Sequence, residues 1–132
     1  MDHTADLGII VYGKDLKDLF ESAALALTHL MTGTPPAPGT GTTRVSVDAG
    51  DIEDLMVRWL GEILYLFQGE EKQISGVDVI SVSPVRLDAV LETARFDPEV
   101  LEIARDIKAV TYHGIQVARR GRHWEARIIL DL

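Results

Sequence analysis

The sequence predicts an α+β fold: a single compact domain of antiparallel strands with two amphipathic helices, about 15–31 and 52–68, and a C-terminal β-hairpin. Three observations carry this. Two stretches in the first half place apolar residues at helical spacing behind an aspartate. The second half turns to period-two alternation. Strands lie on both sides of the two helices, without the regular strand–helix repeat of an α/β sheet. A length of 132 residues is enough for one domain with a sizeable core, and not comfortably for two.

The elements follow in order. Gly8-Ile-Ile-Val-Tyr12 is β-branched and aromatic, and reads as a strand. Asp15 is a good N-cap, and the stripe Leu16, Leu19, Phe20, Ala23, Ala24, Leu27, Leu30 and Met31 follows it on one helical face. Residues 32–42, TGTPPAPGTGT, cannot continue that helix and read as a loop, and Arg44 to Asp48 alternates as a second strand. Asp51 caps a second stripe, Leu55, Met56, Trp59, Leu60, Ile63, Leu64 and Phe67, with Gly69 as the expected stop. Gln73 to Val82 and Val85 to Thr93 flank Ser83-Pro84 as an antiparallel pair. Residues 96–106 are ambiguous, and Asp97-Pro98 could open a short helix. Lys108 to Ala118 and His123 to Leu130 form the closing hairpin around Arg119-Arg120-Gly121-Arg122. There Trp124, Ala126, Ile128 and Leu130 alternate with polar residues, and Ile129 on the polar side implies that this face too is partly covered.

Composition narrows the function. Thirteen basic residues against 21 acidic give a net charge of −8, so direct nucleic-acid binding as the main task is disfavoured, while a hard cation or a basic protein partner suits the balance. With no cysteine, disulfides and thiolate metal sites are excluded. No apolar run reaches the ~20 residues needed to span a bilayer. MDHTADLG carries no basic or apolar leader signature, and the expected location is cytoplasmic. Gly-rich phosphate loops, G-x-S-x-G and zinc signatures are absent.

Three polar places remain. They are Asp2, His3 and Asp6 before the first strand, the stretch Lys108-Ala-Val-Thr-Tyr-His113, and Asp131 beside Leu132. If the fold brings strand ends together, oxygen ligands from distant segments would suit Ca²⁺ or Mg²⁺ rather than Zn²⁺. The plainer reading is that each aspartate is a turn former, each histidine a structural residue and Lys108 an exposed strand residue. Trp59 and Trp124 fit the core, and the three arginines fit a solvated hairpin tip, although a basic tip could touch RNA or an acidic partner.

Taken together, these segments resemble the archease family. The matching runs are D-H-T-A-D-L-G at 2–8, Y-G-K at 12–14, L-F-E-S-A-A-L-A-L at 19–27, W-L-G-E-I-L-Y-L-F at 59–67, K-A-V-T-Y-H-G at 108–114 and R-I-I-L-D-L at 127–132. Residues 94–107 match only loosely. The likeness implies one archease-like domain over 1–132 and an accessory protein of the RtcB-type tRNA-splicing RNA ligase rather than an enzyme. Such a protein promotes guanylylation of the ligase, enables multiple turnover and widens its use of nucleoside triphosphates. GTP and tRNA would be met only through the ligase, and no membrane is involved. The resemblance further implies a divalent-metal site, Ca²⁺-like with Mg²⁺ or Mn²⁺ as other candidates, held by Asp6, Asp131 and an oxygen of Leu132. Lys108 would be functionally important, and His3 and His113 would lie nearby. Two other roles compete: a stand-alone metal-dependent hydrolase, and a general protein chaperone or modulator.

Overall fold

The computed structural model describes residues 6–33 and 38–132; Asp2 and His3 therefore lie outside the described residues. The chain runs β1 (Asp6–Gly13), α1 (Leu16–Thr32), β2 (Gly41–Asp48), α2 (Ile52–Glu70), β3 (Lys72–Ser83), β4 (Arg86–Arg95), β5 (Ala109–Val110), β6 (Gln116–Arg120) and β7 (His123–Asp131). The α+β expectation holds, with every strand pair antiparallel. Among the described residues no helix is long and apolar enough to cross a membrane.

Both helices begin where their aspartates predict. Asp15 and Asp51 are extended, and each side chain accepts the backbone N–H three residues on, from Asp18 and Asp54, at 2.8 Å. Gly33, in the left-handed region at φ 69°, ends α1 by donating its N–H to His29 O at 2.7 Å. The end of α2 departs from expectation. The helix passes through Gly69, and the left-handed residue is Glu71 at φ 56°. Gly69 serves a close approach instead, since a Cβ there would stand 3.0 Å from the Tyr65 ring. Glu71 is held in its strained geometry because its carbonyl accepts Phe96 N–H at 3.0 Å while the chain turns directly into β3.

Two sheets result. In one, β7 is central: β1 lies along one edge, and β5 and β6 lie along the other. In the other, β4 is central, between β2 and β3. The expected single strand over 108–118 is two. Ala109 and Val110 face Asp131 and Leu130, whereas Gln116 faces Arg127, so the register slips by about three residues between them. The extra residues bulge out around Gly114, at φ 67°. That bulge explains Ile129. Its side chain lies over Gly8, where a Cβ would meet it at 3.3 Å, and beside Gly114, so it is half-buried on the otherwise open face.

The loop after β4 holds one helical turn that does not continue. Glu99 N–H donates to Asp97 Oδ1, and Val100 and Leu101 donate to Asp97 O. Its far end is fastened to both helices. Ala104 and Arg105 N–H donate to Met31 O, and the Gln68 side-chain amide donates to Ile107 O. The bonds to Met31 O satisfy a carbonyl that the end of α1 leaves open, and with the Gln68 bond they deliver the chain to β5.

The core lies where α1 and α2 pack on each other and on both sheets. Its largest member is Trp59, fully buried, with Nε1 donating to Phe20 O at 2.9 Å and so linking the two helices. Gly13 is fixed by contact as well, because a Cβ there would stand 2.4 Å from Leu19 N. Trp59→Phe removes the indole donor and part of the ring. It is expected to lower unfolding stability by about 1–2 kcal/mol, read as a lower urea midpoint with unchanged slope. An unchanged midpoint would show that the helix-to-helix bond contributes nothing.

Candidate functional site

The β1–β7 ladder brings the two halves of the site together. It begins with Asp6 directly opposite Asp131 and ends with Gly13 opposite Trp124. Directly opposed residues in an antiparallel pair project to the same face, with Cβ atoms about 5 Å apart. Leu7, Val11, Ala126, Ile128 and Leu130 turn to the core, so the carboxylates lie on the other, open face. Asp6 is exposed and Asp131 half-buried.

The third strand completes the edge. Ala109 faces Asp131 from β5, and Lys108 N–H donates to Asp131 O at 2.8 Å. Lys108 itself is exposed, and its ammonium forms no ion pair among the described residues. The Leu132 side chain packs against the core, which anchors the backbone oxygens next to Asp131. Thus the Asp6 and Asp131 side chains converge with the backbones of Leu132 and Lys108, while alternation starts the Lys108 side chain on the other side of the sheet edge from the carboxylates. His113 does not join them: it is exposed in the bulge, beside residues that face the middle of β7. His3 lies outside the described residues.

Two like charges directly opposite each other on a ladder destabilise it, and no cation among the described residues is paired with either. The donors available are two carboxylates and a backbone oxygen, all hard oxygen ligands. That set fits Ca²⁺, Mg²⁺ or Mn²⁺ and leaves several coordination positions open. Among the described residues there is no group of three or more His, Cys, Asp or Glu placed to hold a metal by themselves. The described residues therefore supply part of a coordination shell. Among the described residues, a cavity of about 640 Å³ lies elsewhere, between Thr32, Gln73, Arg95, Phe96 and Leu101.

One cluster was missed by sequence reasoning. The bulge carries Tyr112 to the start of α2, where its hydroxyl donates to Asp54 Oδ1 at 2.6 Å. Arg58 Nε reaches both Asp54 oxygens at 3.0 Å, and Gly50 N–H donates to Oδ2 at 3.0 Å. The Tyr112 bond first, then Gly50 and Arg58, hold the Asp54 carboxyl below its ordinary value of 3.8. The same bond, with burial, raises the Tyr112 phenol above 10.0. Asp54 reads in sequence as one more acid in a helix's first turn; only the slipped register brings the tyrosine to it.

A model of the archease protein family matches residues 1–132. The chain is 34% identical to a protein named archease from Archaeoglobus fulgidus, covering 100% of this chain and 96% of that one. It is 32% identical to one from Methanosarcina acetivorans, covering 100% and 93%. A solution structure from Methanobacterium thermoautotrophicum superposes with a TM-score of 0.79 at 31% identity, covering 100% of this chain and 96% of that one. A crystal structure from Thermotoga maritima, described as an archease and possible chaperone, gives 0.69 at 18% identity, covering 100% and 94%; it shares the fold.

Two outcomes follow from this geometry. In EDTA, Asp131→Asn is expected to raise Tm by about 2 °C by relieving the repulsion. Millimolar Ca²⁺ should raise Tm of the wild type and leave the variant unchanged. An equal response to Ca²⁺ in both proteins would remove Asp131 from any metal site. For the clamp, Asp54 stabilises the fold above its ordinary pKa of 3.8, and this is lost as pH falls through the lowered value. Tyr112 contributes below 10.0, and this is lost as pH rises through the raised value. Spectrophotometric titration of the three tyrosines should therefore show one ionising late, and Asp54→Asn should bring it back towards 10.0.

Proposed function

The chain belongs to the archease family, and from that premise we propose that it is an accessory protein of an RtcB-type RNA ligase. It promotes guanylylation of the ligase and so allows repeated turnover, and it widens the choice of nucleoside triphosphate. The observation that carries this reading is the register pair Asp6–Asp131, set on an open sheet face beside Lys108. A complete enzyme encloses its reacting groups, excludes water and places several donors around them. Here two carboxylates and one backbone oxygen stand at the end of a ladder, with a lysine on the same edge and no enclosing wall among the described residues.

Their placement supports the following roles. Asp6, Asp131 and an oxygen of Leu132 would hold a divalent cation by hard oxygen ligands, with Ca²⁺, Mg²⁺ and Mn²⁺ all compatible. Bound there, the cation would neutralise the carboxylates and offer its remaining positions to phosphate or carboxylate oxygens of the ligase and its nucleotide. Lys108 supplies a second, permanent positive charge beside the same edge. The backbone bond from Lys108 to Asp131 fixes that lysine's segment against the ladder. What the protein presents to its partner is thus a rigid edge with a fixed charge pattern.

The test is formation of the ligase–GMP adduct from labelled GTP, with wild-type protein, Asp6→Ala, Asp131→Ala and Lys108→Ala. Each variant is expected to lose at least tenfold in stimulation while keeping a cooperative thermal transition. Stimulation at the wild-type level by both aspartate variants would overturn the metal-edge reading. Turnover of nucleotide or RNA by the isolated protein would instead support the hydrolase role. Equal protection of unrelated unfolding proteins would support the general chaperone.

A further inference from the structure

The opposite end of β7 carries a feature that the carboxylate edge does not use. Arg120 faces His123 across a two-residue turn, Gly121-Arg122. Only Gly121 has positive φ, 65°, the pattern of a tight type II′ hairpin turn. Arg119, Arg120 and Arg122 are all exposed. Lys17, Arg58, Lys72, Arg86 and Arg127 hold carboxylates, yet none of the three tip arginines does so among the described residues. The nearest acid on β7, Glu125, is engaged by Arg127. At the tip, Arg119 Nε donates to Gly121 O at 3.2 Å. In a chain with 21 acids against 13 bases, three unneutralised guanidinium groups within four residues form a segregated cationic point.

An aromatic surface adjoins it. Tyr12 is 58% exposed and lies edge-on to His123, with ring centroids 5.7 Å apart. Arg120, His123 and Tyr12 therefore run diagonally across the open face of the sheet, while Arg119, opposite Trp124, leaves the hairpin on its other side and flanks the tip. Nothing lies within 4 Å of where a Cβ on Gly121 would stand, so the tip is open to an approaching chain.

We propose that the β6–β7 hairpin tip contacts the backbone of a single-stranded nucleic acid, with Arg119, Arg120 and Arg122 holding phosphates and Tyr12 with His123 offering a stacking surface for a base. All three cations are arginine, whose planar fork matches phosphate oxygens and whose face stacks on bases. An acidic protein would satisfy the charges equally, but it has no use for the exposed aromatic pair beside them. The net charge of −8 opposes binding elsewhere on the surface, which confines the contact to this end. The tip lies about 27 Å along β7 from Asp131, so this contact is separate from the carboxylate edge.

The test is fluorescence anisotropy of a labelled oligouridine of about 20 nucleotides, titrated with the full chain at several salt concentrations. Binding is expected at low salt and should weaken with salt at a logarithmic slope near −2, as about three phosphate contacts require. The triple variant Arg119→Gln, Arg120→Gln, Arg122→Gln should lose at least tenfold in affinity and most of the slope. Tyr12→Ala should lose about tenfold with the slope kept. Melting curves confirm that each variant is folded. No binding at low salt, equal affinity of wild type and triple variant, or equally tight binding of a polyglutamate peptide would each overturn the proposal, the last in favour of an acidic protein partner. The triple variant should still stimulate ligase guanylylation measured without RNA, so a failure here and a failure of the ligase-accessory reading are distinct results.

Discussion

The structure depends on strand β7 being paired on both edges. On one side β1 returns the start of the described chain to it over eight residue pairs. On the other, β5 and β6 occupy successive parts of the same edge. A strand so paired offers a partner little free backbone, and its inward side chains, Ala126, Ile128 and Leu130, are fully buried. Register is then strongly specified, because a one-residue slip would turn that apolar set outward. The juxtaposition of Asp6 and Asp131 is a consequence. Two carboxylates that repel are held opposite each other by burial of the residues between them and the rest of the ladder.

The slipped register between β5 and β6 does a different task. A continuous strand along β7 would leave the outer face flat and bare. The bulge instead lays Gly114 beside Ile129 and carries Tyr112 across to Asp54 at the start of α2. One end of the segment is thereby tied to a helix N-terminus, while the other is tied through Ile107 to Gln68 near the C-terminus of the same helix. Between these two ties stands Lys108, hydrogen-bonded to Asp131. The helix acts as a rigid frame against which the third strand of the site is set.

How much of this was legible in sequence depends on how local each signal is. The helices were, because an aspartate cap and an apolar stripe are written within one segment; their starts agree to a residue. The end of α2 was not, because Gly69 satisfies a close approach to Tyr65 while Glu71 takes the left-handed turn, and only the position of β4 decides that. The split of residues 108–118 was not, because alternation continues through Thr111 and Tyr112, and the bulge is set by what lies across the ladder. The half-covered Ile129 was legible as an anomaly on a polar face, although not its cover. For the site, the aspartates could be noticed separately from composition. Their pairing needed the ladder, and the Tyr112–Asp54 clamp left no sequence signal beyond a glycine two residues after the tyrosine.

The openness of the carboxylate edge is itself an argument about mechanism. A cation held, as proposed, by two carboxylates and one backbone oxygen would exchange readily with water where no described residue excludes solvent. Such a site gains strength only where a second surface supplies the missing ligands and closes over it. Its affinity for metal and its affinity for that surface are then linked, each raising the other by the same factor. On the proposed reading, the chemistry would then be a property of the complex rather than of either chain, because the described donors leave positions that a partner's groups would fill.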